Sequence, residues 1–411
     1  MPNYEKIGFK PADILIPEKA DMTAWSVVAC DQYTSQPDYW DKVRSFVEDK
    51  PSTLDMVFPE IYLSDDNSAR INSINSAMDK CIKSQILKEY KNSFVYVERE
   101  IGGRRVRHGL IGAIDLEQYD YTAQSKALVR ATEGTVIERI PPRVQIRIDA
   151  PLEMPHIMVL IDDEHCDILE SIDKDELEKL YDFDLMMDSG HIKGYLVSNT
   201  DEICGKLEKI VDAQGENPLL FAVGDGNHSL ATAKTCWDKI KAGLSEDERK
   251  SHPARYALAE IVNIHDESME FEPIHRVVFD VDPEDLINAF LQAEPSAKIG
   301  EGEGQRITAV YGDTEKLITI PKPSHTLEVG TLQRFLDKYV KEKNAKVDYI
   351  HGLDVVRELS ADKNRIGFIL PAMDKSNLFV AIKNDGVLPR KTFSIGEAFE
   401  KRFYLECRKI K

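Results

Sequence analysis

Phe221-Ala-Val-Gly-Asp-Gly-Asn-His-Ser229 is the stretch on which the reading of this chain turns. Leu219 to Val223 is an unbroken apolar run with the length of a buried strand. Gly224 and Gly226 flank Asp225, and Leu230, Ala233, Trp237 and Ile240 then recur at helical spacing. The order is strand, tight turn, helix. Glycine lets a backbone turn sharply and approach a ligand closely. The first turn of a helix presents N–H groups at the positive end of the helix dipole. A phosphate fits such a turn, with Asn227, His228 and Ser229 adding side-chain donors. Asp225 is the odd member, because a carboxylate beside an anion site is unfavourable unless it holds a metal, takes a proton or orients a cation. Residue chemistry alone leaves a second reading open. Gly-Asp-Gly-Asn is also ordinary turn chemistry, with Asn227 or Ser229 capping the helix.

Outward from this turn, strands and helices alternate. Toward the N-terminus, Trp25-Ser-Val-Val-Ala29 reads as a strand ending in Cys30-Asp31-Gln32, and Ser64-Asp65-Asp66 offers an N-cap and acidic first turn for a helix to about Leu87. Gly102-Gly103 between two alternating runs predicts a hairpin. Glu138-Arg-Ile-Pro-Pro-Arg143 reads as a break, His156 to Ile161 as a buried strand, and Asp173 to Asp182 and Asp201 to Ala213 as helices. Glu170 to Glu178 has the charge pattern of a solvated helix face. The second half predicts strands at 256–264, 276–279, 307–311, 317–320 and 366–370, with helices near 283–292, 331–339, 353–359 and 375–384. The pattern predicts an α/β (α+β mixed) protein with mixed sheets in several lobes: 1–150, 151–250 carrying the Gly-rich turn, and 251–411.

Composition narrows the function. The chain of 411 residues is 42% hydrophobic and 30% charged, as globular proteins are. Its formal charge of −19 opposes nucleic acid as the main ligand, because phosphate-backbone binding needs a basic surface. No leader pattern and no apolar run of membrane-spanning length is visible, so a soluble cytoplasmic protein is expected. Six scattered cysteines without a Cys-x-x-Cys pair read as reduced thiols, and the histidines lack zinc spacing. P-loop and nucleophile-elbow motifs are absent from the sequence.

Three ordered motifs carry a resemblance. The turn Asp225-Gly-Asn-His-Ser229 resembles the Asp-Gly-His-His-Arg-Tyr signature of domain-of-unknown-function family 1015. Phe271-Glu-Pro-Ile-His-Arg-Val-Val278 is similar to the family's Leu-Pro-Thr-His-Arg-Val-Val, and Gly386-Val-Leu-Pro-Arg-Lys-Thr-Phe393 to its Gly-x-x-Met-Pro-x-Lys-Ser-Thr. Glu133-Gly-Thr135, ahead of Arg143 and Arg147, echoes two shorter family pieces. The signature is itself similar to that of the ParB/sulfiredoxin superfamily, which includes free-serine kinases.

The resemblance implies a ParB/sulfiredoxin-like phosphate site. Gly224, Gly226, Asn227, His228 and Ser229 would hold the phosphates of ATP or ADP, with Mg²⁺, while Asp225 and Asp31 would act on a small-molecule acceptor such as an amino-acid hydroxyl. His275, Arg276 and Lys391 are the candidate charge-balancing groups. Ser229 stands where the family has Arg, which removes a fork-shaped cation, and Asn227 stands where sulfiredoxin chemistry needs its Cys. The alternatives are a non-catalytic nucleotide- or metabolite-sensing module and a ParB-like nucleic-acid-associated protein.

Overall fold

The computed structural model describes residues 2–64, 66–103 and 105–411. Asp65, of the expected N-cap and acidic first turn, and Arg104, which opens the second run of the expected hairpin, lie outside these. The chain divides into two compact units. The first contains 1–269 and 396–411, and the second contains 270–395.

The first unit is built on a mixed sheet. Its strands run in the order Glu178–Asp184, His191–Val197, Leu87–Ile101, Arg105–Asp115, Tyr256–Asn263, Met158–Ile161, Phe221–Asp225, Val129–Ala131 and Tyr119–Asp120. The Gly102-Gly103 hairpin forms as the sequence predicts, with Ile101 opposite Arg105. Phe221–Asp225 lies antiparallel to Met158–Ile161 and parallel to Val129–Ala131, so it is interior to the sheet. That position explains its unbroken apolar run, since a strand covered on both faces has no solvent side to alternate with. One face is covered by Trp25, Trp40, Val43, Ile74 and Met78. Phe9, Phe94 and Phe221 form the other, under helices Asp201–Ala213 and Asn227–Lys241, which contribute Leu207, Leu230, Ala233 and Trp237.

After the second unit the chain returns to the first. Phe403–Tyr404 pairs with Val27–Val28, and Arg408–Lys409 pairs with Leu152–Glu153. Trp25 Nε1 donates to the Leu405 carbonyl at 2.9 Å, and Arg408 Nε reaches Glu153 at 2.7 Å. These last residues are therefore part of the core of the first unit.

The second unit holds an antiparallel sheet ordered Lys298–Ile299, Thr314–Ile320, Gln305–Tyr311, Arg365–Ile369, Phe271–Phe279 and Lys346–His351. Phe393–Ile395 pairs with the other end of Phe271–Phe279. Helices Pro283–Ala293, Glu328–Lys343, Leu353–Ser360 and Asn377–Asp385 accompany it. No helix among the described residues is long and apolar enough to cross a membrane.

Two local expectations are corrected. The segment expected as a helix at 173–182 is a 3₁₀ turn, Lys174–Glu176, followed by the strand Glu178–Asp184. Leu177, Leu180 and Tyr181 mimic helical spacing, but the strand sits at the sheet edge and satisfies its backbone on one neighbour only. The segment read as a break at Pro141-Pro142 is the start of helix Ile140–Arg147. Proline fits the first turn, where its missing N–H has no helical acceptor.

Phe221 is fully buried and meets the Phe9 ring edge-on at 5.8 Å between centroids. Phe221→Ala is expected to cost about 3–5 kcal/mol, measured as a lowered midpoint in urea with an unchanged slope.

Candidate functional site

The predicted strand, turn and helix form as Phe221–Asp225, Gly226 and Asn227–Lys241. Gly226 is the N-cap residue, in a left-handed conformation with φ +80°. A Cβ there would lie 3.0 Å from Ile157 Cα, so both the angle and the space favour glycine. At Gly224 a Cβ would come within 2.8 Å of Leu160 Cγ. The N-cap glycine has no side chain with which to cap the helix, and Asn227 and Ser229 turn to Thr132 and His156 rather than back on the first-turn N–H groups.

A loop from the neighbouring parallel strand crosses this helix start. Thr132 donates its hydroxyl to the Val223 carbonyl at 2.7 Å and accepts from Asn227 Nδ2 at 3.4 Å. Val136 N–H donates to His228 Nε2 at 3.3 Å, which leaves Nδ1 to carry the ring proton. Asn227 Oδ1 and Thr135 Oγ1 are buried without a hydrogen-bond partner among the described residues. Two such orphans beside one helix start are unusual in a closed core, where buried polar atoms are paired.

The two carboxylates predicted from sequence share a neighbour that the sequence did not reveal. His156 is 5% exposed. Its Nε2 lies 3.3 Å from Ser229 Oγ and 3.8 Å from Asp31 Oδ2, and its Nδ1 lies 2.8 Å from the Tyr404 hydroxyl. Tyr404 donates to Cys30 Sγ at 2.9 Å. Tyr404 thus takes up Nδ1 of His156, while Ser229 and Asp31 face Nε2. A serine hydrolase triad needs its carboxylate on the far ring nitrogen. Here Tyr404 occupies that nitrogen, and Asp31 is on the serine side. Cys30 is not a nucleophile either, since burial, then Asp31, push its thiol up to about 12.

Asp225 accepts from Gly226 N–H at 2.8 Å and pairs with Lys401 Nζ at 3.2 Å. Burial acts to raise its pKa, but Lys401, His156 and the Gly226 N–H together outweigh that and hold it below the usual carboxylate range. Asp225 is thus an ionised, half-buried carboxylate next to an uncapped helix start. Lys401, Tyr404, His156 and Thr132 escaped sequence reasoning because they are far from the turn in the chain and belong to no short motif.

His275, Arg276 and Lys391 lie in the second unit. Arg276 is fully buried and donates to Gln333 at 3.0 Å, to the Ile274 carbonyl and to the Arg390 carbonyl at 3.4 Å. Its guanidinium also lies over the Tyr349 ring. His275 accepts from Leu370 N–H at 3.1 Å, and burial, then Arg276, push it down to about 4, so its ring is neutral at physiological pH. Lys391 is exposed at φ +59°.

A family model described as "Protein of unknown function (DUF1015)" matches residues 9–355. The chain belongs to this DUF1015 family. The match takes in the turn, His156 and Asp31, and stops short of Lys391, Lys401 and Tyr404. No curated protein matched the chain. Among solved structures, a free serine kinase mutant in complex with AMP is similar at 13% identity and TM-score 0.41, covering 76% of this chain and 95% of that one. SbnI with C-terminal truncation, from Staphylococcus aureus, is similar at 10% identity and TM-score 0.40, covering 72% and 85%. A conserved hypothetical protein from Pyrococcus furiosus is similar at 14% identity and TM-score 0.36, covering 75% and 97%.

The Asp225–Lys401 pair makes a pH prediction. A carboxylate with a depressed folded pKa contributes stability above its unfolded value, near 4, and loses it as pH falls through the lower folded value. Lys401→Met should therefore melt below the wild type at pH 7. The gap should close as pH drops below about 4, as followed by calorimetry across pH.

Proposed function

We propose that the chain binds the phosphates of a nucleotide at residues 224–229 and transfers a phosphoryl group to a small-molecule acceptor. The observation that carries this reading is the convergence of Asp31 and Ser229 on His156, beside the uncapped helix start at Gly226. Phosphoryl transfer needs little covalent help from protein. It needs phosphates held by backbone donors and a carboxylate near the acceptor oxygen. The first-turn amides and the buried Thr135 hydroxyl suit the first requirement. The ParB/sulfiredoxin-like likeness of the Asp-Gly-Asn-His signature points the same way.

In this scheme the nucleotide is ATP or ADP. The acceptor oxygen forms a bond to the terminal phosphorus as the bridging P–O bond breaks, and that bond's electron pair leaves with the nucleotide. The acceptor proton passes to the Asp31 carboxylate. Asp225 is kept ionised by its ion pair with Lys401, and a divalent cation would take the place of that lysine. Mg²⁺ takes one or two carboxylates together with phosphate oxygens, and Asp225 is the carboxylate that would hold it. When bound, it would supply charge neutralisation at the phosphates. His228 orients toward the loop of Thr132–Val136 through Nε2.

The test is thermal melting of the full chain with ATP, ADP, inorganic phosphate or no ligand, each with and without Mg²⁺. A ligand at a hundred times its dissociation constant stabilises by about 2.7 kcal/mol. ADP or ATP should raise the melting temperature of the wild type but not of His228→Ala. Asp225→Asn should lose turnover while keeping part of the shift. A nucleotide shift without any product after long incubation would instead mean a sensing module, and no shift at all would leave 224–229 a structural turn.

A further inference from the structure

A cavity of about 150 Å³ in the first unit shares a wall with the candidate site. One end is polar: His156, Ser229, Tyr404 and Cys30 line it, the same groups that meet around Asp31. The rest is apolar, formed by Met56, Phe58, Leu63, Met78, Ile146 and Ala150. Four charged residues also line it, but they are matched: Arg143 pairs with Glu60 and Arg147 with Glu153. Glu153 is also neutralised by Arg408. Their charges are spent on each other, so the wall offers little to a charged guest and much to an apolar one.

Helix Ile140–Arg147 holds this wall against the phosphate-site helix, through Ile140 and Val144 packed on Ala231 and Cys236. The cavity is thus fixed relative to Ser229. Its volume is that of a benzene-sized guest, and its three methionines, Met56, Met78 and Met154, give it an adaptable lining.

We infer that this cavity holds the apolar side group of the phosphoryl acceptor, with the acceptor hydroxyl at the His156–Ser229 end. The acceptor class is then a small alcohol carrying an aromatic or branched aliphatic group, rather than a wholly polar one. This rests on the phosphotransfer reading above, whose bond changes apply unchanged: the alcohol oxygen takes the phosphoryl group and its proton goes to Asp31. The polar end gives the hydroxyl a partner, and the paired charges of the wall exclude a second charged group from the tail.

The probe is 4-fluorobenzyl alcohol, followed by ¹⁹F NMR titration of the full chain, with and without ADP. The wild type should broaden and shift the resonance, and glycerol, a hydroxyl compound without an apolar group, should not displace the probe. Ala150→Leu, which fills the cavity, should weaken binding about tenfold or more. Met78→Ala enlarges it and should admit 1-naphthylmethanol, which the wild type rejects. This second variant decides the matter if Ala150→Leu does not fold. No binding to the wild type, displacement by glycerol, or naphthylmethanol binding equally to wild type and Met78→Ala would overturn the inference. The ADP melting shift is read in parallel. ADP binding without probe binding overturns the apolar site alone. Probe binding without ADP binding overturns the phosphotransfer reading, and with it the guest's role as an acceptor.

Discussion

At Gly226 the chain must turn through φ +80°, with no room for a Cβ beside Ile157. That constraint fixes the rest of the site. The strand before it cannot shift, because it is paired on both sides within the sheet. The helix after it cannot rotate, because Leu230, Ala233 and Trp237 are locked in the core. Asp225 is therefore delivered on one side of the turn and Ser229 on the other, and His156, one residue before Ile157, is held where it can touch Ser229. The uncapped amides follow from the same geometry: with glycine at the N-cap there is no side chain to fold back on them.

The parts of this arrangement that were legible in the sequence are those encoded locally. The strand, turn and helix at 221–241 follow from an apolar run, two glycines and a 3.6-residue period, and the Gly102-Gly103 hairpin from turn chemistry. Asp31 and Asp225 stood out because carboxylates after a strand or inside a glycine turn are chemically conspicuous. The remainder depends on contacts that no local pattern carries. His156 sits at the mouth of an apolar strand and reads as a core histidine. Tyr404 and Lys401 are more than 170 residues downstream of Asp225 in the chain. The edge strand Glu178–Asp184 shows the converse failure, where residue spacing suggested a helix and sheet pairing prevailed.

Buried charge supports the same region. Arg402 bridges Glu260 and Glu406, and Glu153 sits between Arg147 and Arg408. Such pairs add little net stability over apolar replacements, yet losing one partner strands a charge in the core. Arg402 is next to Lys401 and two residues from Tyr404, so the pairing that seats the returning segment also sets the position of two groups at the site.

That returning segment has a temporal meaning. A ribosome delivers the sheet, the glycine turn and His156 well before Lys401 and Tyr404, because the whole second unit is made in between. At synthesis rates of about 5–20 residues per second the interval is on the order of ten seconds. Through that interval the nascent first unit carries a gap in its core at Trp25, Val27 and Val28, and its Asp225 has no Lys401. The candidate site cannot be completed before the second unit has been made, which ties its maturation to synthesis of its neighbour.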